Sequence, residues 1–229
     1  MSILRSANLA DRPGLKHGFT TQPLGADYDH LAVKLKILVS QIYYVEQIHS
    51  AKVVVIDEES ELGRLPQADA LVTTRRNVIV GVRTADCLPV LLHDPVKSVI
   101  AAVHAGFRGL LGGILQNSVD MMVKAFGCQS ENIDAVFGPC IRAKRYEVGE
   151  EVLTAFRDQY GKDFSFEQLP GQKPHLDLAG SAQKILAKMG IGPAHDAGLC
   201  TYEDARFSSY RRAPGAGRQF NFIGLFAEP

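Results

Sequence analysis

The sequence predicts a mixed α/β or α+β fold, and three observations predict it. Short β-branched runs crowd the first half of the chain. Amphipathic helical patterns are interleaved from the middle onward. Several of the runs are apolar on both faces, as strands are in a sheet covered on both sides. The 229 residues fit one large domain or two small ones. A chain of this length buries roughly 70% of its unfolded surface, so it needs neither disulfides nor metals merely to fold.

The strands come first. Residues 52–57 (KVVVID), 77–82 (NVIVGV), 88–93 (LPVLLH) and 98–104 (SVIAAVH) are short and rich in Val and Ile. Residues 134–138 (DAVFG) and 218–226 (RQFNFIGLF) read as further strands. After Gly109, Leu111, Leu115, Val119, Met122, Val123 and Phe126 recur at helical spacing, and Gly127 reads as the stop. EVGEEVLTAFRDQYG and LDLAGSAQKILAKMG are two more helices closed by glycine.

Composition excludes several classes of function. Lys+Arg and Asp+Glu both number 25, and with no long basic run there is no footprint for nucleic acid. No apolar run approaches the ~18 residues of a membrane span. The N-terminus lacks the apolar core of an export signal. Cys87, Cys128, Cys140 and Cys200 are widely spaced with no CxxC pair, so they read as reduced thiols of a cytoplasmic protein.

The chemistry centres on TADCLPVLLHDPVKSVIAAVHAGFRG, residues 84–109. Centring a hairpin on Asp94-Pro95-Val96-Lys97 places Cys87 opposite His104. Facing residues have Cβ atoms about 5 Å apart on one face. Pro95 fixes φ near −65°, which forbids a mirror-image tight turn and predicts a loop longer than two residues. Three readings fit the pair. It is a buried small thiol with a strand-end histidine, two ligands of one metal, or a nucleophile with its base. Of the other histidines, His49 is best placed, because it precedes a strong strand. His93 reads as a solvated turn residue, and His175 and His195 as loop residues. Arg108 sits where a strand enters a helix, a junction suited to an anion such as phosphate. Arg211, Arg212 and Arg218 read as a solvated basic loop.

TADCLPVLL, VHAGFRG, FGPCIRAKRYEVGEEV and CTYEDARFSSYRR…GRQFNFIGL occur here in the order found in the laccase-domain family. The sequence resembles that family, also called polyphenol oxidase-like, from about residue 45 onward. Its members are described as metal-dependent purine nucleoside phosphorylases. The resemblance implies a single domain, residues 1–229, with a mixed β-sandwich core and flanking helices. It implies zinc held by His49, Cys87 and His104, the three residues also being catalytic, with Arg108 binding substrate. The partners implied are purine nucleosides and phosphate, with phosphorolysis of adenosine, inosine or methylthioadenosine and deamination of adenosine as activities. For deamination, Asp86 and Glu46 are candidate proton shuttles. Ser50 stands where the family has glycine, and Phe107 where it has tryptophan. The N-terminal segment is shorter than the family's, which bears on the N-terminal wall of the pocket.

Three rivals remain at this level. A copper-dependent polyphenol oxidase is one, since a His₂Cys set can hold a single copper, although seven histidines without a His-x-His pair do not make a multicopper cluster. A metal-free Cys87/His104 hydrolase acting on cell-wall precursors is another. The third is a binding module on the same fold.

Overall fold

The computed structural model of the chain describes residues 3–61, 66–168 and 170–227. The chain opens with β1 (Ile3–Leu4), α1 (Ala7–Ala10), β2 (Leu15–Thr20) and α2 (Tyr28–Leu35). Then come β3 (Ile42–Tyr43), β4 (Val53–Val55), β5 (Ala70–Thr73), β6 (Val78–Thr84), β7 (Leu88–Asp94) and β8 (Val99–Ala105). Helices α3 (Phe107–Leu111) and α4 (Ile114–Phe126) precede β9 (Asp134–Phe137) and α5 (Glu150–Tyr160). The chain ends with β10 (Ser165–Glu167), β11 (His175–Asp177), α6 (Leu178–Lys188), β12 (His195–Asp196) and β13 (Gln219–Leu225).

Two mixed sheets form the centre. One is five-stranded, ordered β1-β2-β13-β6-β3, and the other six-stranded, ordered β12-β9-β7-β8-β5-β4. The period of two along each strand sorts the side chains. In β8, Val99, Ala101 and Val103 pack with Leu115 and Val119 of α4 and with residues of α5 and α6. The alternate residues, Ile100 and Ala102, pack with Val80, Val82 and Ile223 of the other sheet. Ile79, Phe220 and Phe222 of the five-stranded sheet pack against Leu31, Ala32 and Leu35 of α2. The layers are therefore helix, sheet, sheet, helix, which explains strands that read as apolar on both faces.

The hairpin forms with a changed register. Pro89 faces His104, and the last pair is Asp94 with Val99. This is two residues away from the centring on Asp94–Lys97. The cause is the loop 95–98, which needs four residues. Asp94 Oδ1 accepts from the N–H groups of Val96 at 2.8 Å and Lys97 at 2.9 Å, and Ser98 takes φ 53°. A shift of two keeps every side chain on its face. Cys87 and His104 still share the face toward the other sheet, as diagonal neighbours rather than opposite ones.

Gly127 ends α4 as expected, at φ 68°, donating to the carbonyls of Met122 and Val123. Three histidine expectations fail. His93 lies within β7 and is 4% exposed, because it continues the inter-sheet face of the hairpin. His175 and His195 belong to β11 and β12, short strands that carry too few residues to show a period.

Candidate metal centre

Several strand ends meet at one end of the two-sheet core. β6 finishes at Thr84, and residues 85–87 carry the chain across to β7 in the other sheet. β8 finishes at Ala105, and the loop before β4 brings in His49. The ligand-capable atoms of His49, Cys87 and His104 all lie within 4.8 Å of one another. The two imidazoles meet edge to face with centroids 4.9 Å apart. Gly106 makes room for this cluster. A Cβ there would lie 2.9 Å from Cys87 Sγ and 3.5 Å from His49 Cδ2.

Asp69, just before β5, organises two of the three residues and is 0% exposed. Its Oδ1 accepts from His104 Nδ1 at 2.8 Å and from the His49 N–H at 3.0 Å. Its Oδ2 accepts from the N–H groups of Ile48 (3.3 Å) and Ser50 (2.6 Å) and from Ser50 Oγ (2.8 Å). The hydroxyl contact exists because this chain has serine where glycine was expected. With Nδ1 occupied, His104 keeps Nε2 for a ligand. Burial alone would push the Asp69 carboxyl up, but hydrogen bonds from His104 and Ser50 bring it down to about 2. Sequence reasoning missed Asp69. Its only signal is a lone acid opening the apolar run ADALV.

The electrostatics favour the ionised thiol. Burial would raise the Cys87 thiol, but His104 and then His49 beside it lower it to about 6. Burial would lower His104, but Cys87 and Asp69 raise it to about 9. Thiolate is the form that binds metals. One sulfur and two ring nitrogens fit zinc, and copper in another geometry. Among the described residues this is the one cluster of three or more such groups close enough to hold an ion.

The cluster opens into a cleft of about 750 Å³ lined by residues from Gln47 to Arg218. No described residue before Gln47 lines it, so the short N-terminal segment does not form a wall there. Four arginines do: Arg83, Arg108, Arg211 and Arg218. Each lies over an aromatic ring, of Tyr44, Phe107, Tyr146 and Tyr210 respectively, at 4.9 to 6.0 Å. Among the described residues none of the four forms an ion pair with a carboxylate. Arg211 and Arg218 are thus cleft residues rather than a solvated loop. Arg212 instead braces that loop, donating to the carbonyls of Thr201, Tyr202 and Phe207. The helix after Gly106 has only five residues, so the anion-attracting group at this junction is the Arg108 guanidinium rather than a helix dipole.

The two proton-shuttle candidates part company. Asp86 lines the cleft, but its oxygens accept from Thr201 Oγ1 at 2.6 Å and the Arg211 N–H at 2.7 Å. Glu46 is exposed, does not line the cleft, and accepts from Gln67 Nε2 at 3.3 Å. Tyr146 was missed. It lines the cleft, and burial pushes its phenol up, so it stays an O–H donor.

Known proteins share this fold and much of this sequence. Residues 13–226 match the family described as multi-copper polyphenol oxidoreductase laccase. A Deinococcus radiodurans protein named purine nucleoside phosphorylase is 34% identical over 248 residues, covering 98% of this chain and 93% of its own. A protein named adenosine deaminase RL5, from an unknown prokaryotic organism, is 32% identical over 206 residues, 84% of this chain and 78% of its own. A crystal structure of a Neisseria meningitidis protein superposes with TM-score 0.88 at 31% identity, covering 99% of this chain and 100% of that one. The match begins well before residue 45, because β2 pairs with β13 and belongs to the same sheet. By its sequence over 13–226 and its fold, the chain belongs to the multi-copper polyphenol oxidoreductase laccase family, among relatives named purine nucleoside phosphorylase.

Proposed function

We propose that this chain, acting as one unit over residues 1–229, is a zinc-dependent purine nucleoside phosphorylase. Its substrates are adenosine, inosine and methylthioadenosine, with inorganic phosphate. The observation that carries the reading is the juxtaposition, in one cleft, of three side chains able to ligate a metal with four arginines that form no carboxylate ion pair among the described residues.

His49, Cys87 and His104 hold the metal. Zinc, when bound, supplies a Lewis acid beside the substrate. Arg108, with the other cleft guanidiniums, holds the phosphate; paired N–H donors match its oxygens. A phosphate oxygen attacks the anomeric carbon as the glycosidic C–N bond breaks. The purine leaves with the bond's electron pair and takes up a proton. The Tyr146 phenol is a donor available to that leaving base. Phe107, Tyr146 and Tyr210 give the cleft apolar faces for a purine ring.

Adenosine deamination is a second reading, favoured by the relative that carries that name. A copper polyphenol oxidase is disfavoured by the single candidate ion cluster among the described residues. A metal-free Cys87/His104 hydrolase would give His49 no role in the cluster it joins.

The test is incubation of the purified chain with adenosine or inosine, with and without phosphate, under nitrogen. Phosphorolysis yields free base and ribose 1-phosphate only when phosphate is present. Inosine formed from adenosine without phosphate would establish deamination instead. Activity that requires oxygen would favour the oxidase and sink the proposal.

A further inference from the structure

Resting on that reading of the cleft, we propose that two aspartates divide the assembly of the site. Asp69 is the positioning residue for the metal-holding half, and Asp86 is the positioning residue for the anion-holding half.

The Asp69 half is built on one carboxylate. The same oxygen, Oδ1, holds His104 through Nδ1 and His49 through its backbone N–H. Three successive N–H groups, of Ile48, His49 and Ser50, converge on the two oxygens. His49 has φ 58°, a left-handed conformation that a histidine adopts at a cost. Such a turn aims consecutive amides at one anion, and here the anion is Asp69. Release of that carboxylate frees the His49 loop and the His104 ring together.

The Asp86 half uses different donors. Asp86 has φ 92° and sits where the chain crosses between the sheets. Its carbonyl accepts from Ile141 N–H at 2.9 Å, while its carboxylate holds Thr201 and the Arg211 backbone. Arg212 then donates to the Thr201 carbonyl at 2.7 Å, closing a ring of contacts around the segment that presents Arg211. Without Asp86 that segment loses the bond between the Arg211 backbone and the β6–β7 crossing, one of the contacts that hold it. Among the described contacts, no donor serves both carboxylates. The two halves are therefore separable by substitution, which a general loss of folding would not be.

The experiment uses the full chain, with Asp69→Asn, Asp86→Asn and the milder Ser50→Ala. Zinc affinity is read by competition with a chelator. Binding of inorganic phosphate to the zinc-saturated protein is read by calorimetry. Asp69→Asn is expected to weaken zinc by about 10- to 100-fold, the usual effect of losing a ligand's hydrogen-bond partner. Ser50→Ala moves zinc affinity in the same direction by less and leaves phosphate alone. Asp86→Asn leaves zinc affinity unchanged and weakens phosphate by about 10-fold. Where Asp69→Asn does not fold, Ser50→Ala decides the metal half. Wild-type zinc affinity in both Asp69→Asn and Ser50→Ala overturns the proposal, as does equal loss of zinc in Asp69→Asn and Asp86→Asn. A wild-type chain that binds no zinc overturns the functional reading and the proposal together. Normal zinc and phosphate binding in wild type with unaffected variants overturns the proposal alone.

Discussion

A cysteine, a histidine and an aspartate lie at each of the two ends of the β7–β8 hairpin, some of them brought in from other elements. At the open end, Cys87, His104 and Asp69 meet beside a cleft. At the turn end, His93 and Asp94 lie in β7, with the Cys128 thiol near Asp94. His93 and His104 even share the face toward the other sheet. Their surroundings differ. Burial, and then Asp94, push the Cys128 thiol up to about 12, while His104 and His49 bring Cys87 down to about 6. His104 Nδ1 is held by Asp69, whereas His93 Nδ1 has no hydrogen-bond partner among the described residues and burial lowers its pKa. Residue types alone do not make a site. The open end has a second histidine, a carboxylate bonded to His104 and an open cleft, and the turn end is buried.

The contrast can be broken by substitution. The largest effect is expected at the open end: Cys87→Ala should remove stoichiometric zinc and lower phosphorolysis by at least about 100-fold, beyond the loss of a mere second partner. Residual activity near wild type would equate the two ends. Next comes the rim. Arg108→Ala removes a charged donor worth about 1.5–3 kcal/mol, so the KM for phosphate should rise by roughly 10- to 100-fold with zinc content unchanged. An unchanged KM would assign phosphate to other arginines. Thiol chemistry gives a pH-dependent version of the same contrast. Thiolate forms above the pKa, so in metal-free protein Cys87 labelling by iodoacetamide should rise through pH 6 and be complete well below pH 9. Cys128 should stay unlabelled across that range, and zinc should protect Cys87. Mass spectrometry of the labelled peptides reads both. The smallest effect belongs to the turn end. Cys128→Ala should cost about 1 kcal/mol of stability, or about 2–4 °C in Tm, and leave zinc and activity alone.

Much of the hairpin end was legible in the sequence. Short β-branched runs, apolar on both faces, marked β6, β7 and β8, and the parity of positions put Cys87 and His104 on one face. Even the register error preserved that face, because the four-residue loop around Pro95 shifts pairing by two. The rest depends on contacts distant along the chain. Asp69 reaches His104 across 35 residues, and Asp86 reaches Arg211 across 125. No local period reports such pairings. The arginine rim was misread for a related reason. Arg211 and Arg218 are exposed, as a solvated loop would be, and only the fold turns that exposure toward the His49, Cys87 and His104 cluster. β2 carries Lys16, His17 and Gly18 in a row, so it lacks the alternation by which a strand is recognised, although it pairs five residues with β13.

His49 separates a three-ligand metal site from a Cys87/His104 pair. The most direct measurement is metal content and phosphorolysis of wild type against His49→Ala, before and after chelation. One zinc per wild-type chain is expected, with activity lost on chelation and restored by zinc, and neither zinc nor activity in His49→Ala. Full activity after thorough chelation, or a His49→Ala chain that keeps both zinc and turnover, would contradict the three-ligand site.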